Sequence, residues 1–180
     1  MMNQFYALFK IQRELDQTIE EKHGLTDQNL VPYKLLAFQV ELGELANETR
    51  CFKFWSKKPA SSREVILEEY VDGLHFLMSL GLDSHYEINA SFWQQVEDIK
   101  TIQEVELAQH ITNNERQTAA FQAVFKELAY FGEKESLDCY LRLFTSFLSL
   151  GKVLGFNLEE MVEAYLEKNK INYVRQEQGY

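Results

Sequence analysis

The chain has 180 residues, 46% hydrophobic and 13% aromatic, which excludes a disordered protein and supplies enough apolar mass for a core without disulfide staples. A formal charge of −10 and a pI near 4.9 exclude non-specific attraction to nucleic acid or to an anionic membrane. An anionic substrate would therefore need a metal ion and local basic groups to be held. The two cysteines, Cys51 and Cys139, are too few for a disulfide framework and are predicted to be buried free thiols.

Eight glycines, two prolines and apolar residues recurring every three or four positions predict an all-α protein, a multi-helix bundle forming one domain over residues 1–180. The N-terminus lacks a basic start followed by an apolar run, and the longest apolar stretch, LHFLMSLGL, is too short to span a bilayer. A soluble cytoplasmic protein is expected.

The first helix is predicted over residues 4–22, burying Phe5, Leu8, Ile11, Leu15 and Ile19. Gln12 and Asp16 are four apart on its flank, where ordinary solvated polarity competes with a binding role. Pro32 suits the first turn of a second helix, 32 to about 52, with Phe38, Leu42, Leu45 and Phe52 as its stripe. Next come the basic and aromatic residues Arg50, Lys53, Lys57, Lys58 and Arg63 with Phe52, Phe54 and Trp55. They either contact an anion or simply balance the acidic helices.

A third helix runs from about Ser62 to Gly81. Residues 83–114 are expected to form a smaller lid or dimer-facing lobe with helices at 86–98 and 101–112, and three further helices are predicted at 115–131, 135–154 and 158–175. Leu137, Leu141, Phe144 and Leu148 form a buried stripe. ILEEYVDGL is echoed by NLEEMVEAY, and FLMSLGL by FLSLGKVLG, which hints at a repeated helix pair.

Glu41-x-x-Glu44 lies inside the second helix and Glu69-x-x-Asp72 inside the third. A three-residue step is about 300°, so each pair shares one face, and two adjacent helices could aim four carboxylates at one point. In the apolar settings LLAFQVELGELA and VILEEYVDGLHFLMSL such acids repel unless a cation sits among them, and an all-oxygen set suits Mg²⁺ or Mn²⁺ rather than zinc. Glu160-x-x-Glu163 and Glu135-x-x-Asp138 have the same spacing but follow expected helix starts, where the dipole alone explains acids. Spacing leaves a metal site and a solvated acidic face both open. The register is also open, because Glu68 shares the face of Glu69, and Glu48 continues the acidic line of the second helix.

ExxE, 28 residues from first Glu to third, then ExxD resembles the metal motif of the MazG-like all-α nucleoside triphosphate pyrophosphatases. IQRELDQTI, FKFW, DGLHF and the tail EKNKINYVRQEQGY are similar, more closely, to the dimeric dUTPases. The resemblance implies a Mg²⁺-dependent dUTP diphosphatase, a homodimer, with two or three metal ions on Glu41, Glu44, Glu69 and Asp72. It implies a nucleoside pocket of Gln12, Asp16, His75, Phe76 and Asn172, with Lys53 and Trp55 facing substrate, Lys168 and Arg175 on the phosphates, and Tyr180 closing the tail motif. It leaves two rivals: a sister pyrophosphatase for another nucleotide such as dCTP, and a catalytically silent helical partner-binding protein.

Overall fold

The structure, a computed structural model, describes residues 2–86, 92–94 and 112–179, with side chains from residue 4 onward. Among the described residues six helices carry the fold: α1 (Met2–His23), α2 (Val31–Thr49), α3 (Arg63–Asp83), α4 (Asn113–Lys134), α5 (Leu137–Val153) and α6 (Leu158–Glu177). A helical turn at 92–94 packs Phe92 and Trp93 onto Phe9 of α1. There is no strand among the described residues, and the fold is all-α. The helices expected at 86–98 and 101–112, with most of the lobe at 83–114, lie outside the described residues, as does Tyr180.

Helix ends follow local chemistry. Thr112 with Glu115, and Asn157 with Glu160, form capping boxes that satisfy the first amides of α4 and α6. Pro32 opens α2 and Asn29 Oδ1 accepts from the Val31 amide. α2 stops at Thr49, three residues short of the expectation, because Arg50 turns left-handed at φ 56°. Phe52 consequently leaves the buried stripe and is exposed. Glu135 also departs from the expectation: it caps the end of α4 at φ 40° instead of sitting in a first turn, and Ser136 caps α5.

The centre of the molecule is α3 crossing α5, with aromatic rings filling the seam. Tyr70 stacks on Phe147 at 4.6 Å, and Phe38 meets the same ring edge-on. Each of the two helices sends a tyrosine against a glycine of the other. Tyr70 donates to Phe147 O (3.2 Å) beside Gly151, and Tyr140 donates to Leu77 O (3.0 Å) beside Gly81. A Cβ on Gly81 would lie 2.3 Å from the Tyr140 hydroxyl, so only glycine permits this approach. Phe38, Leu42, Tyr70, Leu74, Leu77, Phe144 and Phe147 are all fully buried, each such side chain worth about 1.5–3 kcal/mol of transfer free energy. Cys51 and Cys139 are buried and free. No helix among the described residues is long and apolar enough to cross a membrane.

Candidate metal centre and adjoining polar pocket

α2 packs along α3 through Leu42, Leu45, Val71 and Leu74, a buried seam that fixes which neighbouring positions reach its edge. Glu41 from α2 and Glu69 and Asp72 from α3 arrive there half-buried, each offering an oxygen within 4.8 Å of the others. Glu44 stands at the exposed rim, outside that group, but near enough for its charge to act on Glu41 and Glu69.

Burial, then repulsion from Asp72, Glu44 and Glu69, pushes the Glu41 carboxyl up to about 7. Glu69 is raised by burial and by its acidic neighbours in the same way. Asp72 is raised by burial even though Lys168 pulls it down. Three hard oxygen donors that resist sharing one place without a cation fit a divalent metal ion.

Lys168 separates Glu68 from Glu69 in their surroundings. Its ammonium, 7% exposed, donates to Glu68 Oε1 at 2.8 Å and lies 2.7 Å from Asp72 Oδ2. Burial disfavours that charge, but the two carboxylates outweigh it and hold the Lys168 pKa above its ordinary value. Glu68 therefore clamps the lysine while Glu69 joins the cluster. One helical turn and two turns beyond Lys168, Asn172 is half-buried and Arg175 is exposed, the Arg175 charge lowering Glu68 and Asp72.

The loop after α2 spends much of its positive charge on itself. The Arg50 guanidinium donates to Lys58 O (3.1 Å) and Ser56 Oγ (2.6 Å), bracing the loop. Lys53 donates to Asn47 and lies 5.4 Å over the Phe52 ring. Trp55 meets Phe54 edge-on at 5.0 Å, and both rings are largely in solvent. Glu48 accepts from Ser61 Oγ and its main-chain carbonyl accepts from Ser61 N at 3.0 Å, tying the loop's end back to α2.

Further along α3, beyond Asp72, the helices α1, α3 and α6 enclose a chain of polar groups. Gln12 is buried, which sets aside the solvated-flank alternative. Its Nε2 donates to Asp16 Oδ1 at 2.7 Å, and its carbonyl accepts from Tyr165 and from His75 Nδ1 at 2.8 Å. Asp16 also accepts from Ser79 Oγ at 2.6 Å and faces Lys34 at 3.9 Å. Burial raises the Asp16 carboxyl to about 6 against the pull of Lys34.

The His75 ring stacks on Tyr165 at 4.0 Å, and burial, reinforced by the Lys168 charge, lowers its pKa to about 3 with the Tyr165 main chain opposing weakly. His75 Nε2 and Asn169 Nδ2 are buried without a hydrogen-bond partner. Phe76, next to His75, is half-buried against the core.

Sequence reasoning missed Tyr165, Ser79, Lys34 and Asn169. Two of them carried a signal in helical spacing, because Ser79 is one turn beyond His75, and Tyr165 one turn before Lys168 and Asn169. Lys34 carried none.

No curated protein matches the chain. The family model for dUTPase matches residues 4–180, nearly the whole length, and the protein belongs to the dimeric, all-α dUTPase family.

Proposed function

We propose that the protein is a Mg²⁺-dependent dUTP diphosphatase that converts dUTP to dUMP and diphosphate and also accepts dUDP. Family membership supports a hydrolase acting on a nucleoside triphosphate. The observation that carries the finer reading is the cluster of Glu41, Glu69 and Asp72, three carboxylates held together at raised pKa with a lysine clamped beside them.

Those three residues, with Glu44 at the rim, would hold magnesium. Once bound, the metal supplies charge neutralisation for the phosphates and acidifies a ligated water. The chain's own groups do the rest. Glu41, whose proton affinity is already high, takes the proton of the water that attacks the β-phosphorus, and the bond to the α-phosphate oxygen breaks to leave dUMP. Lys168, Arg175 and Lys53 neutralise the charge on the diphosphate. Gln12, Asp16, His75, Phe76 and Asn172 line the nucleoside side, and Trp55 closes it from the loop. The working unit is a homodimer.

Diphosphate release from a panel of dNTPs with Mg²⁺, then with EDTA, tests the reading. We expect dUTP to be turned over alone among the common dNTPs and EDTA to stop it. Preference for dCTP would move the protein to a sister specificity, and silence across the panel would make it a binding protein.

A further inference from the structure

Lys168 and a divalent ion would call on the same carboxylate. Asp72 is one of the three acids whose oxygens gather between α2 and α3, and its Oδ2 stands 2.7 Å from the Lys168 ammonium. The ammonium is also held at 2.8 Å by Glu68, which lies one helical turn before Asp72 and does not belong to the gathered three. The two acceptors differ in surroundings. The Glu68 side chain is 56% exposed and shares its charge with water, whereas that of Asp72 is 21% exposed and depends on whichever cation stands beside it. An ammonium and a metal ion drawn to one half-buried carboxylate repel each other. A lysine carries three donors on a flexible four-carbon stem, so it can give up one acceptor and keep the other.

We infer that Lys168 is a tethered competitor of the metal ion for Asp72, and that Glu68 is a positioning residue that keeps hold of the ammonium when the ion takes that carboxylate, an inference that rests on the divalent-metal reading given above. Glu68 then has a purpose that its neighbour Glu69 does not share: it keeps the lysine's charge satisfied and α6 tied to α3 while Asp72 changes partner. The ammonium, turned away from Asp72, is released toward the phosphates assigned to it above.

Mn²⁺ binding to the metal-stripped protein at pH 7.5, without nucleotide, reads the competition through the spin-resonance signal of free Mn²⁺. Lys168→Met, which keeps the length and removes the charge, should bind Mn²⁺ about 10- to 100-fold more tightly than wild type, the worth of one charge-assisted bond. Lys168→Gln, which leaves a polar end for the two carboxylates, should shift in the same direction, so that a folding defect in one variant leaves the other to decide. A lysine that only clamps α6 to α3, or that holds Asp72 in place for the ion, gives the opposite sign. Weaker or unchanged binding in the folded variants therefore overturns the competition. Arg175 also acts on Glu68 and Asp72, more weakly than Lys168. Arg175→Gln should tighten Mn²⁺ by no more than about 3-fold, and a gain equal to that of Lys168→Met would assign the effect to the general field and overturn the contest for Asp72.

A double-mutant cycle judges Glu68. Glu68→Gln alone should weaken Mn²⁺ binding by about 3- to 10-fold, because the ammonium then leans on Asp72 alone, and by less than about 2-fold in the Lys168→Met background, where only a screened surface charge is lost. Equal effects in the two backgrounds remove Glu68 from this role. Mn²⁺ bound by neither wild type nor Lys168→Met defeats the metal-centre reading itself, whereas binding by wild type with no gain in Lys168→Met defeats the competition alone.

Discussion

The pair α2/α3 and the pair α4/α5 are built alike and differ at their polar edge. Tyr70 to Gly81 and Tyr140 to Gly151 have the same spacing, end in the same Ser-Leu-Gly, and make the same reciprocal tyrosine contacts. Counting from these tyrosines, Asp72 corresponds to Arg142, Glu68 to Asp138 and Glu69 to Cys139. Arg142 donates to Asp138, to Cys139 Sγ at 3.1 Å and to Glu127 Oε2 of α4 at 3.0 Å. The second pair thus carries its cation on the chain. In the first, three raised carboxylates gather, and Lys168 satisfies Glu68 and one side of Asp72. The difference teaches that helix pairing fixes where acids meet, while the presence or absence of a tethered cation decides whether they can accept one from outside.

Catalysis should separate the two pairs most. Glu69→Gln and Asp72→Asn should lower kcat by at least about 10²-fold, the scale for groups that stabilise developing charge, while leaving helicity intact. Asp138→Asn and Glu127→Gln should leave turnover near wild type. Comparable losses in both pairs, in steady-state assays with dUTP and Mg²⁺, would dissolve the contrast.

Lys168→Ala and Arg175→Ala should weaken triphosphate binding by about 10- to 100-fold and dUMP binding much less, because charge-assisted bonds to phosphate are worth about 1.5–3 kcal/mol. Equal losses for both ligands would make the lysine a structural clamp of α3 to α6. The shared architecture predicts shared structural cost. Gly81→Ala and Gly151→Ala should each destabilise by about 1–3 kcal/mol, since the new Cβ meets Tyr140 in one case and Met161 and Tyr70 in the other.

How much of this was legible in the sequence follows the same division. Helix identity and most buried stripes were, because a 3.6-residue period is written directly in positions such as Phe38, Leu42 and Leu45. The clustered acids Glu41, Glu69 and Asp72 stood out by position within helices, away from the ends that excuse Glu160. Arg50 was not legible as a helix stop, because a left-handed arginine has no side-chain signature. Nor was the chain from Lys34 to His75, since it joins α1, α2, α3 and α6, and only tertiary packing brings those residues together.

Glu41 offers a pH test. An acid raised from 4.5 to about 7 is protonated more readily in the native state than in the unfolded chain, so its contribution to stability is favourable at low pH and is lost as pH rises through that window. His75, lowered to about 3, acts in the opposite sense, its unfolded form taking up a proton below about 6.5, so wild-type stability alone is ambiguous. The difference between Glu41→Gln and wild type in EDTA isolates the carboxyl. The variant should melt within error of wild type near pH 4.5 and a few degrees higher at pH 8, at about 2–4 °C per kcal/mol for a chain of this size. Saturating Mg²⁺ should close the gap by stabilising wild type. A gap that is constant with pH would mean that Glu41 is not strained by its neighbours.

The smallest effect should come from rebuilding the acidic edge in the wrong pair. Arg142→Asp would place three acids, Glu127, Asp138 and the new aspartate, where one arginine now holds two. If a missing cation were the whole cause of the α2/α3 site, this variant would gain a second divalent ion. Burial argues otherwise. The Asp138 side chain is 76% exposed, whereas that of Asp72 is 21% exposed, and carboxylates in water repel one another and attract a cation only weakly. We expect a fall in Tm of no more than a few degrees, erased by 0.5 M NaCl as well as by Mg²⁺, and an unchanged number of tight Mg²⁺ ions by calorimetry. An additional ion bound as tightly as the first would show that charge alone makes the site. An unchanged count would show that carboxylates must be both unpaired and half-buried before a metal ion is their best partner.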